Sequence, residues 1–580
     1  MSSWSLVYHG YDPQEERLRE ALCTLGNGYF CTRAAAEEAE AGEHHYPGTY
    51  LAGGYNRLTS EIDGQIIENE SLVNLPNWLP LSFRCVDGTW FDVERTTILD
   101  YCQTLDLRRG LLERRIRFRD AQDRTTRLTS RRLVHMNWPH LAALQWKLEA
   151  EDWDGRVQFR TALDGRIRNA GVERYRALSG RHLEPIRAGS FGRDGISLLV
   201  RTNQSRLEIA EAACTRLWEG EELQDPDRQQ VETPDGYIAQ LFTQPIQRGT
   251  PLVLEKNVAL YTSRDPAISE SEWEARRDAR CAPRFETQLQ AHDQAWRHLW
   301  HQFGIRFRDR DAAREERTAR TLRLHTLHLL QTASPNTTDM ALDVGIPPRG
   351  WTGEAYRGHI MWDELFIFPF LNLRIPEITR NILLYRFRRL TEARRAARTA
   401  GLRGAMYPWQ SGSDGREESQ TVHLNPRSGR WIPDHSNLQR HVNAAIVYNI
   451  WNHYEVTRDR AFLAYYGAEM ILEIARLFDS LTEYDDTRER FVIRGVIGPD
   501  EYHEGYPDAD QPGVDNNAYT NVLVVWALRR ALELCDLLSE DALQRLRNKL
   551  ALRDAELDRW RAITHRMFVP FHNGQIISQF

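Results

Sequence analysis

Apolar and polar residues alternate along many short stretches of the first 260 residues. Leu144, Trp146 and Leu148 form one such series, and 157–163 contains another. A period of two is typical of half-buried strands. Asp-Gly pairs separate several of these stretches, and many short strands with regular turns indicate an antiparallel sandwich. We therefore predict an all-β domain, an N-terminal antiparallel β-sandwich, over 1–265.

The spacing of apolar residues becomes helical after residue 265. Leu289, Trp296, Leu299 and Trp300 recur at intervals of three, four and seven within a polar segment. We therefore predict a helical linker over 266–311.

Helical periodicity continues through the rest of the chain. Helices are predicted at 312–334, 375–399, 438–457, 459–481 and 517–536. Long loops rich in aromatic and acidic residues separate them. Helices joined by such loops favour a toroid or bundle that carries a site at one end. The predicted fold class is therefore multidomain, β followed by α, with a helical domain over 312–580.

Composition and charge narrow the class of protein. A chain of 580 residues exceeds what one core usually serves, and 41% hydrophobic with 27% charged residues is typical of a soluble folded protein. The net charge of −7 comes from interspersed residues, which predicts no nucleic-acid partner. Neither a leader peptide nor an apolar run of roughly 18 residues is present, so we expect no membrane partner and a cytoplasmic location.

Motifs for cofactors and metals are weak. The chain has no Gly-rich phosphate loop, dinucleotide fingerprint or His-Glu-x-x-His helix. His325 and His328 lie one helical turn apart, but such pairs are more often packing or surface residues than ligands. Seven scattered cysteines do not form a disulfide framework. We predict no cofactor and no metal.

Three loops concentrate aromatic and acidic residues. They are 356–364 (YRGHIMWDE), 406–412 (MYPWQSG) and 498–504 (GPDEYHE). Aromatic faces pack against the C–H face of a sugar while carboxylates accept its hydroxyls, so Trp362 beside Asp363 suits a pyranose. The alternative is a helix start in which Trp362 is a core residue and Asp363 is a cap.

Glu501 has the features of a general acid. Gly498 and Pro499 end regular structure just before it, and Tyr502 and His503 follow it. A partly dry pocket can keep a carboxyl group protonated, as the departure of a glycosidic oxygen requires. The alternative is that Glu501 only bonds backbone amides in a tight loop.

In combination these loops resemble glycoside hydrolase family 65, which contains maltose, trehalose, kojibiose and nigerose phosphorylases together with some hydrolases. The segments 24–29 (TLGNGY), 46–50 (YPGTY) and 75–78 (LPNW) are similar to the sandwich domain of that family. The resemblance covers almost the whole chain. It implies a β-sandwich, a helical linker and an (α/α)6 toroid barrel, and it suggests a homodimer.

The resemblance also implies residue roles. Glu501 matches the general acid, Trp362 and Asp363 match residues that hold the glucosyl unit, and weaker candidates for the same pocket are Trp409, His359, Tyr502 and His503. Family members ordinarily continue past residue 580. We therefore expect an incomplete, truncated barrel, with the phosphate-binding loop or a second carboxylate beyond Phe580.

Three functions remain open. The first is an inverting disaccharide phosphorylase that uses inorganic phosphate as co-substrate, and the second is an inverting hydrolase that activates water. The third is an inactive sugar-binding fragment. The loop 411–437 is a candidate for setting this choice or the acceptor sugar.

Overall fold

The computed structural model of the protein describes residues 3–62, 64–500 and 503–580. The chain divides into two compact units. Unit 1 comprises Met1–Val172, Leu178–Leu342 and Arg349–Arg357, and unit 2 comprises Glu173–Ala177, Asp343–Pro348 and Gly358–Phe580. The domain limits at 265 and 311 stay a prediction.

Unit 1 consists mainly of antiparallel strands. The strands are β1 (Ser5–His9), β2 (Leu25–Gly26), β3 (Phe30–Thr32), β4 (Thr49–Leu51), β5 (Tyr55–Ile62), β6 (Gln65–Leu72), β7 (Leu81–Cys85), β8 (Thr97–Asp106), β9 (Leu111–Arg119), β10 (Thr125–Val134), β11 (Leu141–Ala150), β12 (Gly155–Asp164), β13 (Leu183–Phe191), β14 (Gly195–Thr202), β15 (Glu208–Glu219), β16 (Glu222–Gln224), β17 (Arg228–Thr233), β18 (Tyr237–Ile246) and β19 (Leu252–Thr262). The helices are α1 (Glu16–Leu22), α2 (Ser271–Cys281), α3 (Phe285–Phe303), α4 (Ala312–Thr332) and α5 (Pro335–Asp339).

Two of the sheets form a β-sandwich. The larger has the order β1-β8-β9-β10-β11-β19-β15-β14-β13, with β16 paired to β15, and the smaller has the order β17-β18-β12-β7. Thr161 on β12 and Thr215 on β15 join the sheets through a hydroxyl hydrogen bond of 2.8 Å. Leu144, Trp146 and Leu148 are fully buried, as their alternation predicts.

The helices of unit 1 include one that the alternation does not predict. The short helix α1 interrupts the all-β pattern. In α3 the four apolar residues that indicated a helix are all buried. Trp300 donates its indole N–H to the carbonyl oxygen of Leu107 at 3.0 Å, so α3 is tied to the strand domain by a polar contact as well as by apolar packing.

A buried carboxyl group lies in the sandwich core. Neither carboxylate oxygen of Glu211 has a hydrogen-bond partner among the described residues, and burial raises its pKa, with Lys256 opposing the shift. Lys256 donates to the carbonyl oxygens of Ala162 and Pro80 at 2.8 and 3.0 Å, and burial lowers its pKa to about 7. The folded protein therefore favours a protonated Glu211.

This carboxyl group makes stability depend on pH. Because folded Glu211 keeps a proton that the unfolded chain loses above its ordinary pKa, its contribution falls as pH rises. We expect the free energy of unfolding of Glu211→Leu, relative to that of the wild type, to increase by up to about 2 kcal/mol when the pH rises from 5 to 6.5. Urea unfolding at both pH values measures this gain. The control is Glu219→Leu on the same strand, and a gain that does not change with pH would contradict the assignment.

Unit 2 is helical. Its helices are α6 (Glu364–Asn372), α7 (Pro376–Arg388), α8 (Leu390–Thr399), α9 (His441–Thr457), α10 (Arg460–Phe462), α11 (Ala468–Leu481), α12 (Ala518–Leu537), α13 (Glu540–Leu550) and α14 (Asp554–Arg566). Short hairpins are β20 (Val422–Leu424) with β21 (Trp431–Pro433), β22 (Thr482–Asp485) with β23 (Arg490–Ile493), and β24 (Phe571–His572) with β25 (Ile576–Ile577). The helix α9 packs against α6, α7, α11 and α12.

Two predicted helices contain irregularities. The stretch 375–399 is divided at Arg389, whose guanidinium donates to the backbone of Tyr385 and Ser413 and to Asp343. The stretch 459–481 contains a π-helical turn, Leu463–Gly467, between α10 and α11. The spacing of apolar residues predicts neither feature. Tertiary contacts determine the break at Arg389, and a single inserted residue produces the π-helical turn.

None of the described helices combines the length and the apolar character that crossing a membrane requires.

Candidate functional site

Two of the three aromatic loops are joined by backbone pairing in unit 2. Ile360 and Ser411 exchange both backbone hydrogen bonds at 2.9 and 3.0 Å. Ser411 also pairs with Glu417, and the hydroxyl groups of Ser411 and Tyr385 lie 2.7 Å apart. Segments about 50 residues apart in sequence therefore form one small scaffold.

An aromatic cluster lies beside this scaffold. The ring centroid of Trp362 is 6.2 Å from that of Trp409, 4.7 Å from that of His441 and 6.1 Å from that of Tyr519. The rings of His441 and Tyr519 meet Trp362 nearly at right angles, which is a favourable edge-to-face geometry. Trp362 stays only half-buried, so part of its ring is available to a ligand.

His441 is the most enclosed member of this cluster. Its side chain is fully buried, and neither ring nitrogen meets full hydrogen-bond geometry with a described residue, although the Ile497 backbone is near enough to oppose the lowering of its pKa. Burial lowers its pKa to about 4. The imidazole is therefore neutral near pH 7 and contributes packing and one N–H dipole rather than a charge.

Adjacent carboxylates at the start of α6 have different environments. Asp363 occupies the N-cap position, but its side chain makes no capping hydrogen bond, and the residue is half-buried. Glu364 is buried, accepts from Arg386 at 3.0 Å and from the Ile346 amide at 3.1 Å, and has its pKa raised by burial. Asp363 is thus not the helix cap of the alternative interpretation, whereas Glu364 is structural.

His359 lies at the base of the scaffold. Its side chain is fully buried, and its Nδ1 lies 3.1 Å from Oε1 of Gln410. One of its ring nitrogens lies within 4.8 Å of a carboxylate oxygen of Glu418. These contacts orient the segment that leads to Trp362, so the geometry of His359 is that of a positioning residue.

Glu417 binds backbone amides of the second aromatic loop, 406–412. Its carboxylate accepts from the amides of Trp409 at 2.8 Å, Gln410 at 3.1 Å and Ser419 at 3.1 Å. Three amides on one carboxylate fix the backbone at Trp409.

We expect Glu417→Ala to weaken glucose binding roughly tenfold, because the backbone that carries Trp409 loses its acceptor. Isothermal titration calorimetry with glucose measures the effect. Asp414→Ala is the matched control, since Asp414 lies on the same loop and accepts from Arg416 at 2.7 Å. Unchanged glucose affinity in Glu417→Ala would show that these amide contacts do not position the Trp409 ring.

The third loop, 498–504, and the residue before it lie against the segment that precedes α9 and against the start of α12. The Ile497 amide donates to the Leu438 carbonyl at 3.1 Å. A Cβ atom at Gly498 would lie 2.3 Å from Nδ2 of Asn517, which caps α12, so only glycine permits this close approach. The turn is therefore held against the first turn of α12, which carries Tyr519.

The candidate acid Glu501 and its neighbour Tyr502 lie outside the described residues. The flanking Asp500 accepts from His503 and, at 2.9 Å, from Nε2 of Gln579. The ring of His503 lies 5.2 Å from that of Phe580, and its side chain is half-exposed. The roles of Glu501 and Tyr502 stay predictions.

Comparison with protein families decides the classification. Residues 6–299 match the N-terminal domain of glycosyl hydrolase family 65, and residues 323–580 match its central catalytic domain. The chain belongs to glycosyl hydrolase family 65. The N-terminal β-sandwich and the helical C-terminal unit are consistent with that family.

Named relatives support this membership. An uncharacterized glycosyl hydrolase of Mycobacterium tuberculosis is 50% identical over 100% of this chain and 43% of its own length. Trehalose 6-phosphate phosphorylase of Lactococcus lactis is 33% identical over 91% of this chain and 66% of its own length. Kojibiose phosphorylase of Halothermothrix orenii is 30% identical over 97% and 69%. The chain thus spans less than half of the mycobacterial relative. The matches to the two family domains give no support to the predicted truncation.

A solved structure shares the fold. A candidate kojibiose phosphorylase from the human microbiome superposes with a TM-score of 0.83 at 19% identity, over 100% of this chain and 71% of that one. At this identity the likeness concerns the fold alone.

The site of this family 65 chain contains residues that the motifs did not indicate. His441 and Tyr519 join Trp362 through tertiary contacts, and Glu417, which lies in the candidate loop 411–437, binds the backbone at Trp409. The signals in sequence were slight: His441 and Tyr519 each lie in the first turn of a helix, where a polar ring does not disturb the apolar face.

Proposed function

We propose that this protein cleaves the α-glucosidic bond of a glucose-containing disaccharide by inverting phosphorolysis, on an (α/α)6 barrel. The observation that carries the proposal is the half-buried Trp362, held by Trp409, His441 and Tyr519 beside an Asp363 that does not cap its helix. An aromatic face next to a carboxylate suits a glucosyl ring. Relatives named as phosphorylases of kojibiose and trehalose 6-phosphate support the reaction class.

The reaction needs one protein acid. The carboxyl group of Glu501 gives its proton to the glycosidic oxygen as the bond from that oxygen to the anomeric carbon breaks. A phosphate oxygen forms the new bond to the anomeric carbon from the opposite face. The α-glucoside thus becomes β-glucose 1-phosphate, and the acceptor sugar leaves with the proton. Because phosphate is already a nucleophile, no second carboxylate is required.

The remaining candidates position the sugar. Asp363 accepts a glucosyl hydroxyl, Trp362 and Trp409 pack on the ring, and His359 orients their segment through Gln410. Tyr502 and His503 flank the acid in sequence, and His503 contacts Asp500. No cofactor or metal takes part in this scheme, and phosphate is the co-substrate.

The purified protein is to be incubated with trehalose, kojibiose, maltose and nigerose, with and without phosphate. We expect β-glucose 1-phosphate to form from one of these disaccharides, in the presence of phosphate only. Nuclear magnetic resonance identifies the anomer. Equal release of free glucose with and without phosphate would overturn phosphorolysis in favour of hydrolysis.

A further inference from the structure

Three cavities adjoin one another in unit 1, along the smaller sheet β17-β18-β12-β7. Their volumes are about 850, 670 and 350 Å³. The first and second share Ser82, Arg160 and parts of the segment 38–42, and the second and third share Trp90. Cavities of this size are typical of small-molecule sites. Because they share walls, they form one elongated groove, which we call the sheet groove.

The floor of the sheet groove is the outer face of the smaller sheet. Phe83 on β7 and Phe159 on β12 are paired neighbours, and both are buried in the sandwich core. Side chains alternate between the two faces of a strand. Arg84 and Arg160, each one residue further along, therefore project from the opposite face. The strand pattern thus places two guanidinium groups on the outer side of the sheet.

Trp90 is an aromatic surface of the groove. The guanidinium carbons of Arg84 and Arg160 lie 4.9 and 4.7 Å from its ring centroid. Both arginines come from the same face of neighbouring strands, so they approach the indole from the sheet, and cation–π attraction holds the ring in place. Trp90 is only half-buried, which leaves part of the indole free to pack against a ligand.

Several charged side chains of the groove are not used by the fold. Two guanidinium groups and two carboxylates have neither a hydrogen bond nor an ion pair with any residue that the structure describes, namely Arg160, Arg168, Glu40 and Glu43. Other charges there are paired, as Asp164 is with Arg166 at 2.8 Å and Glu38 with Arg114 at 2.6 Å. The groups open to a ligand are therefore donors and acceptors in equal number.

A donor and an acceptor of this set lie near the same ring. Tyr237 lines the first cavity, and burial raises its pKa. The charge of Arg160 lowers that pKa and the charge of Glu40 raises it. Both groups are thus close enough to Tyr237 to serve one ligand in this cavity.

The balance of charge indicates the kind of ligand. An anion would meet the carboxylates of Glu40 and Glu43, and a cation would meet the two guanidinium groups. A hydroxyl group donates one hydrogen bond and accepts two, so a neutral ligand with many hydroxyl groups can use donors and acceptors alike. An aromatic surface beside such groups suits the C–H face of a sugar, and an elongated groove suits several sugar rings in a row.

We propose that the sheet groove binds a linear, neutral oligosaccharide, with Trp90 packed against one sugar ring and with Arg160, Arg168 and Glu40 bonded to hydroxyl groups. The groove lies in unit 1, whereas the residues assigned to glucosidic cleavage belong to unit 2. It holds the glycan without breaking a bond, so the inference does not rest on the proposed reaction.

Calorimetry with maltopentaose and cellopentaose, which are neutral linear glucans of α and β linkage, tests the proposal on the full chain. We expect one of them to bind at least about tenfold more tightly than glucose, and Trp90→Ala to remove that advantage because the packed indole face is lost. Trp273→Ala is the matched control. Trp273 is an exposed indole on α2 with Arg277 over its ring at 5.3 Å, and its loss should preserve the advantage.

Arg168→Gln serves as a second variant in case Trp90→Ala does not fold. Arg168 is exposed, so its replacement should leave the thermal unfolding midpoint unchanged while it lowers the pentasaccharide affinity by about threefold or more.

Three results would overturn the proposal. The first is a wild type that binds both pentasaccharides no more tightly than glucose. The second is an advantage that persists in a folded Trp90→Ala, or in Arg168→Gln where Trp90→Ala does not fold. The third is an advantage that Trp362→Ala removes and Trp90→Ala does not, since the glycan would then occupy unit 2.

Discussion

Glu501→Gln should lose several orders of magnitude in turnover on natural disaccharides while it still binds them. An amide has no proton of suitable acidity for the glycosidic oxygen, so the departing sugar must leave as an unassisted alkoxide. Because general acid catalysis alone is worth roughly 10²- to 10⁴-fold, this is the largest single effect we expect. Steady-state kinetics of phosphorolysis measure it, with sugar binding followed separately by calorimetry.

A substrate with a good leaving group provides the internal control. A glucosyl fluoride needs little protonation, so Glu501→Gln should retain much of its activity on that substrate. Glu504→Gln, three residues further along the same loop, is the matched variant and should behave as the wild type. Equal losses on the disaccharide and the fluoride would remove Glu501 from the role of acid.

Asp363→Ala should weaken every glucoside by a similar factor, whichever acceptor sugar it carries. The half-buried carboxylate is not used as a helix cap, and removing it leaves a sugar hydroxyl unpaired in the pocket. The loss of a charge-assisted hydrogen bond costs roughly 1.5 to 3 kcal/mol, which corresponds to about 10- to 150-fold in kcat/KM. The ratio of kcat/KM values across two linkages shows whether the factor is shared.

The neighbouring carboxylate supplies the contrast for this variant. Glu364 is buried against Arg386 and the Ile346 amide, whereas Asp363 is half-buried, so Glu364→Ala should lower the thermal unfolding midpoint more than Asp363→Ala does. A variant of Asp363 that altered only the choice of acceptor would show that the residue binds the other sugar.

The order of elements was readable from the chain because periodicity is a local property. The alternation at Leu144, Trp146 and Leu148 identified β11, and helical spacing identified α4, α9 and α12 within a few residues of their ends. The break at Arg389 was not readable, since its cause is a set of contacts to distant residues. The short helix α1 was not predicted, because its seven residues are too few to show a repeated apolar pattern.

The sequence by itself determined the secondary-structure classes, the sandwich followed by helices, and the loops that carry Trp362, Asp363 and Trp409. Those features depend on residues that lie close together in the sequence. Only the tertiary structure decided which side chains meet: the pairing of Ile360 with Ser411, and the contact of Trp362 with His441. These contacts are invisible in sequence, because which side chains meet depends on where distant segments of the chain come together.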